Sequence, residues 1–123
     1  MDKNKPVILL DPYPRTMDIL FSKVNLKFLK NNFTLLKAPN NNKTKFYIKN
    51  LPHADYIFGQ PNLPTKLIRT QTKLKAIFNV ESNFMDNMDY DYCFKNNIHV
   101  LATSPVFAQP VAEMALGLTL SIA

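Results

Sequence analysis

Pro6-Val7-Ile8-Leu9-Leu10, followed at once by Asp11-Pro12-Tyr13-Pro14, is an unbroken apolar run of strand length that ends at a turn. A strand with one wet face alternates polar and apolar residues, whereas a run apolar at every position needs cover on both faces, as in a parallel sheet. Runs of the same kind recur at Phe33 to Leu36, at Asp55-Tyr56-Ile57-Phe58 closed by Gly59, at Leu74 to Val80 and at Ile98-His99-Val100-Leu101. Helical patterns separate them. Met17, Leu20, Phe21, Val24 and Phe28 recur at helical spacing opposite Asp18, Lys23, Lys27 and Lys30, so a helix opening at Arg15 or Thr16 is expected to bury that stripe. Pro39-Asn40-Asn41-Asn42 reads as a turn, Lys43 to Leu51 and Tyr90 to Asn96 as short helices, and Pro61 and Pro64 bracket a loop that sets the start of another. Five strand patterns alternating with helices predict an α/β chain: a flavodoxin-like, five-stranded parallel sheet with helices on both faces.

The 123 residues suit one domain with a real core, and 46% hydrophobic against 20% charged residues excludes a disordered or fibrous chain. No stretch has the roughly 18 to 20 apolar residues of a membrane span, and Met1-Asp2-Lys3-Asn4-Lys5 lacks a signal peptide's apolar core, so the expectation is a cytoplasmic protein without a membrane partner. Cys93, the single cysteine, has no partner for a bridge or a metal pair. The formal charge of +6 lies wholly in residues 1–62, with ten basic and four acidic side chains, while residues 63–123 carry five of each. The excess is nearly all Lys, with little Arg and few interleaved aromatics. That composition predicts a solvated face and no nucleic-acid partner.

Several chemistries are excluded by residue type. A dinucleotide loop or a Walker loop needs closely spaced glycines, and the chain has only Gly59 and Gly117. Asp11 is solitary after the first strand, which rules out a clustered-acid phospho-receiver, and Asp86, Asp89 and Asp91 have the wrong spacing for a calcium loop. They are expected to cap the helix near Tyr90 instead. His53 and His99 each lack a Ser or Cys partner, and Cys93 beside Tyr92 and Phe94 reads as a buried small hydrophobe. Open α/β sheets bind ligands at the carboxyl ends of their strands, where the loops Asp11 to Thr16, Glu81 to Asn87 and Thr103 to Pro110 are expected to converge. Glu81-Ser82-Asn83-Phe84-Met85 offers successive backbone N–H groups and an apolar wall, a cradle suited to a small carboxylate.

From Pro110 the chain runs Val111-Ala112-Glu113-Met114-Ala115-Leu116-Gly117-Leu118-Thr119-Leu120-Ser121-Ile122-Ala123. Val111, Met114, Ala115, Leu118 and Ile122 make one apolar stripe, and Ala112, Leu116 and Leu120 make a second. A domain of this size covers one of them, so downstream sequence or another subunit is expected on the other.

Leu74-Lys75-Ala76-Ile77, Asp86-Asn87-Met88-Asp89, Asn97-Ile98-His99-Val100 and Val111-Ala112-Glu113-Met114-Ala115-Leu116 stand in the order and spacing of the substrate domain of D-isomer-specific 2-hydroxyacid dehydrogenases. Ala54-Asp55-Tyr56-Ile57 fits that family's third strand. The resemblance implies the N-terminal part of a substrate domain, residues 1–109, with residues 110–123 beginning the crossover helix to a missing Rossmann domain. It implies NAD or NADP as the cofactor, bound elsewhere, and a small 2-oxo or 2-hydroxy acid as the substrate. The family's catalytic Arg, Glu and His and its glycine fingerprint have no counterpart in these residues, so inactivity of the chain alone is expected. Substrate-binding positions carry over as Glu81, Ser82, Asn83 and Phe84, whose backbone amides in the family hold the carboxylate, and as Phe107, at a position often Asn in the family. Ser82 and Phe84 replace residues that are usually Gly, and the two Phe side chains imply a less polar or bulkier substrate than glyoxylate or pyruvate. The competing expectation is a stand-alone flavodoxin-like module that binds a small anion or a partner protein.

Overall fold

A computed structural model describes residues 5–81 and 83–122. Five strands, β1 (Val7–Asp11), β2 (Thr34–Lys37), β3 (Tyr56–Gly59), β4 (Ala76–Phe78) and β5 (His99–Leu101), form one parallel sheet in the order β2-β1-β3-β4-β5. That order is the flavodoxin-like doubly wound arrangement, whose direction reverses between β1 and β3. Its helices are α1 (Met17–Leu20), α2 (Lys23–Asn32), α3 (Lys43–Asn50), α4 (Thr65–Ile68), α5 (Tyr90–Lys95) and α6 (Ser104–Ser121).

Register explains which residues share a face. Leu9 pairs with Ile57, Ile57 with Ile77 and Ile77 with Val100, so these four point to one side. There they pack with Tyr47 of α3, Leu51 and Ala54 of the following turn, Leu67 and Ile68 of α4, and Cys93 of α5, forming the buried core. Burial raises the pKa of the Cys93 thiol, with the nearby Asp89 charge acting the same way. The opposite face carries Ile8, Leu10, Tyr56, Phe58 and Phe78, against which Phe21, Leu29 and Phe33 pack around an open apolar groove of about 380 Å³.

The stripe expected on the first helix is corrected by the structure. The segment is two helices, because Ser22 caps α2 with its Oγ, which accepts from the Asn25 N–H at 3.2 Å. This restart rotates the inward face onto Leu26 and Leu29, leaving Val24 and Phe28 exposed. Thr103 to Pro110, expected as a loop, is also corrected: Pro105 is compatible with a first helical turn, and α6 runs from Ser104 with Pro110 inside it. None of α6's residues is buried. Among the described residues no helix is long and apolar enough to cross a membrane.

Asp55 ties the sheet together at its amino-terminal edge. Its Oδ2 accepts from the Val7 N–H at 2.8 Å and from Lys73 Nζ at 3.0 Å. Burial would raise its pKa, yet these bonds and the charges of Lys73 and Lys75 outweigh that and hold the carboxyl below its ordinary value.

Candidate functional site

The switch point lies where β1 ends at Asp11 and β3 ends at Gly59, two residues directly opposite in register. Gly59 has φ +145°, and a Cβ built there would lie 2.0 Å from the Asp11 carbonyl oxygen. Only glycine fits such a backbone conformation and such a close approach. Asp11 is nearly buried, with Lys43 Nζ donating to its Oδ1 at 2.6 Å and the Tyr47 hydroxyl reaching its Oδ2 at 3.4 Å. Burial, then the Asp11 charge and hydrogen bond, raise the pKa of Tyr47, so it stays a neutral donor. Asp11 is therefore committed to holding α3 on the strand end and is not an open acid or base.

Two of the expected loops converge. Arg15 Nε donates to Glu81 Oε1 at 3.0 Å, closing a contact between the β1 loop and the loop after β4. Beside it, Asp11, Pro12, Arg15, Thr16, Lys37 and Asn40 line a mixed polar and apolar cleft of about 370 Å³. The loop after β4 starts from Asn79, whose N–H donates to the Leu101 carbonyl at 2.8 Å. Neither side-chain amide atom of buried Asn79 has a partner among the described residues.

Gln60, directly after Gly59, reaches this loop with both ends of its amide. Oε1 accepts from the Glu81 N–H at 2.9 Å, and Nε2 donates to the Asn83 carbonyl at 2.9 Å. The far side is pinned by Tyr90, whose hydroxyl accepts from the Met85 N–H at 3.1 Å and lies 2.8 Å from the Met85 carbonyl and 2.7 Å from Asn87 Oδ1. Its single proton serves one of those acceptors at a time. Asn87 extends the pinning to the β3 loop, donating from Nδ2 to the Pro61 carbonyl at 2.8 Å. Asp89 caps α5 by accepting from the Tyr92 N–H at 2.9 Å, and that bond, with one from Thr65, lowers its pKa.

Of the residues singled out from the sequence, Glu81 is half-buried and engaged with Arg15 and Gln60, while Asn83 is exposed and held through its carbonyl. Phe84 is exposed and meets the Tyr90 ring edge-on at 5.0 Å. Ser82 lies outside the described residues. Phe107 sits on α6, half exposed, and makes no ring contact among the described residues. The sequence reading missed Gln60 and Tyr90. Gln60 follows the one strand-ending glycine, which was the available signal. Tyr90 carried none.

The residues present do not fit a dinucleotide. Gly59 is packed against the Asp11 backbone, Gly117 lies within a helix with open space around its Cα, and no glycine-rich turn opens a helix.

The fold and the convergent loops define an α/β domain of the doubly wound class, with the loop after β4 beside the switch point. Within that class the chain is similar to a phosphoglycerate oxidoreductase from Rhizobium etli, with 37% sequence identity and a TM-score of 0.79 over 97% of this chain. It spans 37% of the length of that structure. No family model matches the chain, and no curated protein matches it.

Proposed function

We propose that this chain is the substrate-binding segment of an NAD(P)-dependent dehydrogenase that interconverts 2-oxo acids and D-2-hydroxy acids. In this reading the loop at Glu81, Ser82, Asn83 and Phe84 receives the substrate carboxylate, and Phe107 borders the site from α6. The nicotinamide cofactor and the proton-transfer residues belong to a Rossmann domain or partner subunit carried on residues 110–123, so the chain by itself performs no hydride transfer. The observation that carries the reading is the 37% identity to an oxidoreductase across nearly the whole chain, coupled to the convergence of Arg15 and Glu81 at the switch point.

Phe84 and Phe107 favour a substrate with an apolar tail over glyoxylate or pyruvate. The test has two parts. Incubation with NADH, NADPH and a panel of 2-oxo acids gives no nucleotide oxidation, and measurable turnover rejects the claim that a second unit is required. Fusion to a Rossmann unit of a homologous dehydrogenase restores reduction, with branched or aromatic 2-oxo acids ahead of two- and three-carbon ones; the reverse order rejects the apolar pocket. A second reading, a module that binds a small anion or a partner protein by itself, is favoured by the fully exposed α6.

A further inference from the structure

We propose that Gln60 is a positioning residue that selects which amides of the loop after β4 take a carboxylate. The inference rests on the substrate-binding reading above and adds a specific division of labour within the loop. The side-chain amide of Gln60 occupies the N–H of Glu81 and the carbonyl of Asn83 at once, each at 2.9 Å. Met85 gives its N–H to the Tyr90 hydroxyl, and Asn87 gives its own to the Met85 carbonyl. Among the described residues nothing accepts from the N–H of Asn83 or of Phe84. These two consecutive donors lie between the two pins, and the loop is exposed there.

A carboxylate gains most from donors that need no reorganisation when it arrives. The Gln60 amide supplies that order. An Asn at the same place is one carbon–carbon bond, about 1.5 Å, too short to serve both partners. A Glu keeps the acceptor for the Glu81 N–H but sets a carboxylate oxygen against the Asn83 carbonyl, which repels it. The position therefore requires both the length and the two-ended chemistry of Gln.

The test is amide-resolved NMR on the 15N-labelled 123-residue chain, titrated with pyruvate and with 4-methyl-2-oxopentanoate. In the wild type the Asn83 and Phe84 amides shift and saturate while Glu81 stays still. Gln60→Ala weakens binding about three- to tenfold, the worth of one net hydrogen bond, and the released Glu81 amide now responds. Gln60→Glu weakens binding too, with Glu81 still silent, a contrast that a merely structural residue does not produce. Unchanged Leu9, Ile57 and Ile77 amides report an intact sheet in each variant. The proposal is overturned if Glu81 responds in the wild type, or if either folded variant keeps the wild-type affinity and pattern. A wild-type chain whose loop ignores both acids overturns the substrate-binding reading itself, a separate result.

Discussion

Gly59→Ala and Gly117→Ala are the same chemical change with opposite expected consequences. At Gly59 the added Cβ lies 2.0 Å from the Asp11 carbonyl oxygen and 2.6 Å from its carbon, both backbone atoms of a paired strand. Neither can swing aside as a side-chain tip does. The φ of +145° adds strain of about 1–3 kcal/mol for a residue with a Cβ. Relief requires β1 and β3 to part at the Asp11–Gly59 pair, which also loosens Asp11 from Lys43 and Tyr47. Together these effects amount to about 3–5 kcal/mol, a large share of a domain's stability. With a urea dependence of about 1–3 kcal/mol per molar, the midpoint falls by roughly 2 M. At Gly117 nothing lies within 4 Å and the backbone is helical, so Ala gains about 0.8–1 kcal/mol of helix propensity. Because α6 buries nothing in the core, this gain raises helicity without moving the sheet's midpoint. Urea titrations followed by circular dichroism decide the matter. A Gly59→Ala midpoint within about 0.3 M of wild type refutes the close-approach argument.

Asp55→Asn lowers stability by about 1 kcal/mol at neutral pH, since an acceptor for the Val7 N–H survives but its charge does not. A carboxyl with a depressed folded pKa stabilises the fold fully above the unfolded value of about 3.9 and loses that contribution as pH falls through the lower, folded one. The gap between wild type and variant therefore closes in urea titrations below about pH 4, and a constant gap contradicts the assignment. Leu116 and Leu120 are 61% and 68% exposed, so the wild-type chain is expected to self-associate through α6, and Leu116→Glu with Leu120→Glu to return it to monomer mass in light scattering. A monomeric wild type at high concentration counts against this. Cys93, fully buried with a raised pKa, is expected to resist a thiol reagent in the native protein and to react promptly in urea.

The layered architecture is legible in the residue pattern alone. A run such as Pro6 to Leu10 admits few solutions other than a strand covered on both faces, and repeating it between helical patterns leaves a parallel sheet. The expectation that the Glu81 to Phe84 loop receives a ligand rests on a similar rule, that open α/β sheets place their sites at strand ends. Helix faces were less secure. Val24 and Phe28 read as core from their spacing, but the break at Ser22 restarts the helical phase, and a single side-chain cap decided which residues met the sheet. The polar partners of the loop were scarcely legible, since Gln60 was marked only by its place after Gly59 and Tyr90 by nothing. Gln60 and Glu81 are separated along the chain and become neighbours only because β3 and β4 pair side by side, so the tertiary fold alone decided which amides of the loop are held.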